Sequence, residues 1–106
     1  MQLATAPAIV AQAFHALGDE TRVAILKQLA RGERCVCDIQ AGLELSQPLL
    51  SFHLRVLRRA GLVQARREGR WAYYALSAAG LEPLRQYLER LQTAAERVLP
   101  MVEHSP

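Results

Sequence analysis

Apolar residues recur along this chain in steps of three and four, interrupted once by a stretch that alternates. From Ala8 to Leu17 the positions Ile9, Val10, Ala13, Phe14 and Leu17 follow helical spacing, and Gly18 breaks it. Met1–Pro7 reads as a loose arm ahead of this helix. Asp19 is placed to cap a second helix, ETRVAILKQLARG. There Val23, Leu26 and Ala30 form one stripe, Ile25 and Leu29 widen it, and Gly32 ends it. Asp38–Leu43 predicts a short helix with Ile39 and Leu43 inward, followed by a Glu44-Leu45 turn. Ser46 then opens SQPLLSFHLRVLRRAGLV as an N-cap, and Pro48 is tolerated in the first turn. Leu50, Leu54 and Leu57 mark the buried stripe, and Gly61 closes the helix.

The period changes in LVQARREGRWAYYAL. Val63, Ala65, Trp71, Tyr73 and Ala75 alternate as strand positions, with Glu68-Gly69 at the hairpin turn. Beyond it, Leu81, Leu84, Leu88, Leu91, Ala95, Val98 and Val102 form a heptad-like seam, which packs against another helix. Part of that seam can rest on Ile9 and Phe14, and both terminal helices together predict a homodimer interface. The expected architecture is mainly α with a small β-hairpin: a winged helix-turn-helix. It occupies residues 1–106 as one domain, with a reading helix at about 46–60, a wing at about 63–76 and a dimerisation helix at about 81–99.

Charge sharpens this picture. The net charge of +3 over 106 residues permits nucleic-acid binding without requiring it. Its distribution says more, because Arg55, Arg58, Arg59, Arg66, Arg67 and Arg70 crowd into one short span. A helix face bearing amide, hydroxyl, imidazole and guanidinium groups suits a DNA major groove. Ser46 begins the DNA-facing set. Gln47 and Ser51 are the base-reading candidates, and Leu49 and Phe52 are placed for thymine methyls. His53 is expected on the exposed face against phosphate or a base. Arg55, Arg66, Arg67 and Arg70 are expected on phosphates, which position without specifying sequence. Trp71 and Tyr73 read as hairpin core, His15 as packed or solvated, and His104 as part of a tail. No paired carboxylates, nucleophile–base pairing or phosphate loop points to an enzyme. No apolar run is long enough to span a bilayer and the N-terminus is unlike a signal peptide, so a cytoplasmic protein is expected. Its two cysteines, Cys35 and Cys37, are then thiols available to metals or oxidants.

Several blocks in order, FHALGDETRVAILKQLARGERCVCDI, LELSQPLLSFHLRVLRRAGLV and REGRWAYYAL, resemble the ArsR/SmtB family of winged-helix metal-sensing repressors over roughly residues 14–76. The resemblance implies a dimeric repressor that leaves its operator when an inducer binds. A symmetric dimer in turn predicts an inverted-repeat operator with half-sites about one helical turn apart. ERCVCDI is similar to the inducer site of the arsenic and antimony repressors, so As(III) or Sb(III) at Cys35 and Cys37 is the implied signal. That pattern often carries a third cysteine where this chain has Gln40. A hydroxide, a small thiol such as glutathione, or a group of the partner subunit would have to complete the site. Cd(II), Pb(II) or Zn(II), with further ligands such as Asp38, and thiol oxidation remain alternatives. The zinc-sensing pattern of Asp and His on the last helix is absent.

Residues two apart point to nearly opposite sides of a helix but share a side in extended chain. One ion is therefore expected to hold the Cys35–Cys37 segment extended or to unwind the helix start, shifting the population away from the DNA-competent form. For the same reason, oxidation is expected to cross-link subunits rather than close a bond within the chain.

Overall fold

The computed structural model describes residues 6–98. The element order is α1 (Pro7–Leu17), α2 (Glu20–Leu29), β1 (Arg34–Cys35), α3 (Val36–Leu43), α4 (Gln47–Arg59), β2 (Val63–Glu68), β3 (Trp71–Leu76) and α5 (Ala78–Arg97). The expected helices and hairpin are present in order. The Met1–Pro7 arm, apart from its last two residues, and the expectations for Val102 and His104 lie outside the described residues.

The capping chemistry sets the helix starts. Asp19 accepts the Arg22 N–H at 3.1 Å at the head of α2, Ser46 Oγ accepts the Leu49 N–H at 3.3 Å at the head of α4, and Ser77 Oγ accepts the Gly80 N–H at 3.0 Å at the head of α5. The turn between α3 and α4 is tight: Glu44 takes a left-handed φ of 57°. Its N–H returns to the Gln40 carbonyl at 2.9 Å, and the Gln40 side-chain amide donates to the Leu45 carbonyl at 3.0 Å. Gln40 therefore braces the helix-turn-helix corner.

Ile25, Ile39, Leu50, Leu57 and Leu62 form the fully buried centre, drawn from α2, α3, α4 and the approach to β2. This arrangement corrects the expected α2 stripe. Val23 is exposed, and the buried line runs Arg22, Ile25, Leu29, with Leu26 packed beside it. The sheet also differs from a plain hairpin. Arg34 and Cys35 pair antiparallel with Tyr74 and Tyr73, giving the order β1-β3-β2. Glu68 pairs with Trp71, so the wing turns on Gly69-Arg70, one residue later than expected, and Gly69 takes the required positive φ of 63°.

Leu84 of α5 is buried in the core and Tyr87 lies 6.1 Å from Phe14 of α1, ring to ring. Further along, Leu88, Leu91 and Val98 are about half exposed, as is Ile9 of α1. The seam thus divides: its first turns close the fold, and its later turns present apolar surface to solvent.

Candidate nucleic-acid interface and thiol site

The reading helix α4 and the wing β2–β3 enclose an open cleft of about 640 Å³. From α4 it is lined by Gln47, Ser51, Arg55 and Arg58; from the wing, by Arg67, Arg70 and Trp71; and from α3, by Cys37 and Gln40. Gln47, Ser51 and Arg55 are exposed, as the helical spacing requires of positions off the Leu50–Leu54–Leu57 stripe. Leu49 and Phe52 are exposed beside them at 44% and 48%. Ser46 is exposed at the helix head, with its oxygen already accepting the cap hydrogen bond.

Two expected DNA contacts are placed elsewhere. His53 is buried, and its Nδ1 lies 3.1 Å from an Arg22 guanidinium nitrogen. Arg22 is also buried; it donates to the Ala16 carbonyl at 2.6 Å and to the His15 carbonyl at 3.4 Å. One guanidinium thus joins the end of α1 to α4. With Arg22 as donor, Nδ1 of His53 is the acceptor, which is the neutral imidazole tautomer protonated at Nε2. Asp19 lies 3.9 Å from His53. The Arg22 N–H hydrogen bond, helped by the nearby Arg22 charge, holds the Asp19 carboxyl below its ordinary range.

Arg66 is the second correction. It donates to both Glu33 oxygens at 2.7 Å and to Glu68 at 2.9 Å, and it lies over the Tyr73 ring at 4.6 Å. Those hydrogen bonds hold Glu33 below the usual carboxylate range. Arg66 ties the wing to the loop before β1 instead of standing free for phosphate. Trp71, expected in the hairpin core, is 52% exposed, lines the cleft and has Arg70 at 6.0 Å from its ring. Tyr73 is half-buried.

Cys35 is the N-cap of α3, in extended conformation (φ −77°, ψ 155°), and its sulfur accepts the Asp38 N–H at 3.3 Å. An N-cap side chain folds back over the first helical turn, where Cys37 sits. The two sulfurs are joined as a disulfide within the chain. The chain is extended at Cys35, the first of the two expected routes to bringing the sulfurs together, and α3 does not unwind; the expectation that oxidation cross-links subunits is overturned, because the bond closes within one chain. Cys35 is buried, whereas Cys37 and Asp38 are exposed. One ligand atom from each of the three lies within 4.8 Å of the others. As free thiols, the pair would offer two soft donors suited to a thiophilic metal or metalloid, with a hard carboxylate beside them. Gln40 adds no soft donor, because its Nε2 donates to the turn and its remaining ligating atom is a hard amide oxygen.

A reading helix, a braced corner and a wing flanking one arginine-lined cleft define a winged helix-turn-helix DNA-binding protein. Residues 19–65 match the family model described as bacterial regulatory protein, arsR family. An uncharacterised helix-turn-helix transcriptional regulator of Methanocaldococcus jannaschii is 51% identical over 65 residues, 60% of this chain and 73% of that protein. The chain therefore belongs to the ArsR family of transcriptional regulators. An arsenic resistance transcriptional regulator of Pseudomonas putida is 50% identical over 64 residues, covering 59% of this chain and 50% of its own length. A cadmium resistance regulatory protein homologue of Staphylococcus aureus is 41% identical over 85 residues, 79% of this chain and 68% of that protein. The solution structure of a homodimeric winged helix-turn-helix DNA-binding domain from Mycobacterium bovis superposes with a TM-score of 0.66 at 32% identity, covering 93% of this chain and 89% of that one. The match thus spans only half of the Pseudomonas regulator's length. No helix among the described residues is long and apolar enough to cross a membrane.

Proposed function

We propose that residues 1–106 act as one unit, a homodimeric cytoplasmic repressor that binds inverted-repeat operator DNA and releases it when As(III) or Sb(III) binds Cys35 and Cys37. The observation that carries this reading is the placement of Cys37 on the wall of the DNA-facing cleft, with Cys35 and Asp38 within 4.8 Å. Gln47 and Ser51 read base edges, and Ser46, Leu49 and Phe52 complete the contact along the head of α4. Arg55, Arg67 and Arg70 hold phosphates. The similarity to an arsenic resistance regulator supports the metalloid as the signal.

Two further readings rest on specific observations. The Asp38 carboxylate beside the sulfurs, with the similarity to a cadmium resistance regulator homologue, favours Cd(II), and with it Pb(II) or Zn(II), as the signal. The disulfide between Cys35 and Cys37 favours a thiol-redox signal.

The double variant Cys35→Ser, Cys37→Ser tests the assignment. It is expected to bind operator as the parent does and to stay bound when arsenite is added. Loss of operator binding in the variant would make the cysteines structural and would end the inducer-site reading.

A further inference from the structure

The cleft beside Cys37 poses a chemical question. Trivalent arsenic binds three soft donors well, and this chain brings only two sulfurs together. The nearest further donor is the Asp38 carboxylate, a hard ligand, and Gln40 offers only a hard amide oxygen, its Nε2 donating to the Leu45 carbonyl. On the open side of Cys37 lies a cleft of about 640 Å³. Its walls carry Arg55, Arg58, Arg67 and Arg70, all exposed. Among the described residues none of these four is in an ion pair, in contrast to Arg66 and Arg85, which are bound to carboxylates. Free guanidinium groups around a cavity recognise carboxylates and phosphates in bidentate fashion.

The geometry points to an anionic low-molecular-weight thiol, one carrying a thiol and carboxylates, as the third ligand to arsenic, seated in this arginine cleft. This proposal rests on the metalloid reading above. Arsenous acid supplies three hydroxyl groups. Two equivalents of the same small thiol first reduce the Cys35–Cys37 disulfide by exchange and leave as its oxidised dimer; the thiols of Cys35, Cys37 and one further small molecule then each form one S–As bond and give up one proton. Three molecules of water leave, and arsenic remains trivalent. The carboxylates of the bound thiol then occupy the guanidinium groups that otherwise meet DNA phosphates, so inducer and operator compete for one surface. Release follows from occupation of the cleft, and α3 keeps its start.

The test uses the full chain, reduced with a phosphine and freed of it, so that no reagent thiol is present. Arsenite is titrated alone, with glutathione as the anionic thiol, and with cysteamine as a cationic one. The sulfur-to-arsenic absorption reports binding, and native mass spectrometry reports composition. The expected species contains one arsenic and one glutathione per chain. Arsenite should bind about tenfold more tightly with glutathione than with cysteamine, within the ordinary range of coupling between two ligands. Arg67→Gln combined with Arg70→Gln, both on the exposed wing, should remove that preference while arsenite still binds. Equal binding of arsenite with no added thiol, or with cysteamine, would overturn the proposal and leave the metalloid reading standing. One arsenic shared between two chains would do the same, since the partner would then supply the third sulfur. No binding of arsenite under any of these conditions would overturn the metalloid reading and this proposal together.

Discussion

Gln47, Ser51 and Arg67 line one cleft, and in the proposed repressor their chemistry would divide the work of binding DNA. An amide that bonds a base edge discriminates by about 1–3 kcal/mol, whereas a guanidinium on phosphate contributes regardless of sequence. Gln47→Ala should therefore flatten the response to substitution at one base pair of each half-site. Arg67→Ala should weaken all duplexes alike and lower the salt slope of log affinity by about one per protomer. Binding to single-substitution duplexes across a salt series separates the two. The residue scale also shows what the sequence conceals. Positions 50, 53, 54 and 57 fall at i, i+3, i+4 and i+7, so His53 sits on the buried face that its leucine neighbours mark. Arg22 stands at the same spacing before Ile25 and Leu29. The spacing carried the signal, and the polar identity of the side chains hid it. Cys35 and Cys37 were legible as a pair, but their approach depends on a cap conformation that spacing alone does not specify.

At the scale of elements, helix order, caps and wing were readable because each has a local cause: an Asp or Ser cap, a glycine turn, a change of period. β1 was not, since two residues paired across to Tyr73 and Tyr74 have no period of their own. The joint between helices is likewise non-local. Arg22 holds the last carbonyls of α1 and the imidazole of α4. Arg22→Ala takes this donor from the Ala16 carbonyl and from Nδ1 of His53, while the His15 carbonyl keeps the Gly18 N–H, and should cost about 2–4 kcal/mol in urea unfolding, at roughly 1–3 kcal/mol per orphaned group. Asp19, with its carboxyl depressed below 3.8 in the folded chain, contributes stability that is present above that value and lost as pH falls through the folded pKa. Acid unfolding of Asp19→Asn should show a weaker pH dependence in that window than the parent. Gly80 in α5 lies against the Gly61 carbonyl, where a Cβ would collide with backbone. Gly80→Ala should destabilise by about 1–2 kcal/mol, an overpacking cost of up to about 3 kcal/mol exceeding the roughly 1 kcal/mol gained in helix propensity. Thermal unfolding of this variant checks the packing of α5 on the end of α4.

Among the described residues, Leu88 and Leu91 on α5, Val98 at its C-cap and Ile9 on α1 are left as apolar surface beyond the core. A second copy would cover it. Leu88→Glu with Leu91→Glu should yield a monomer in sedimentation equilibrium and weaken operator binding, because a single protomer reads only one half-site. The most direct measurement of the metalloid-responsive repressor is fluorescence anisotropy of the reduced protein on a duplex that it has itself selected from random DNA. Arsenite, Cd(II) and hydrogen peroxide are then added separately, each with glutathione present. Release by arsenite, lost in the Cys35→Ser, Cys37→Ser variant, is the expected result. Release by Cd(II) or peroxide alone would contradict the assignment of the signal, and failure to select or bind any duplex would contradict repression itself.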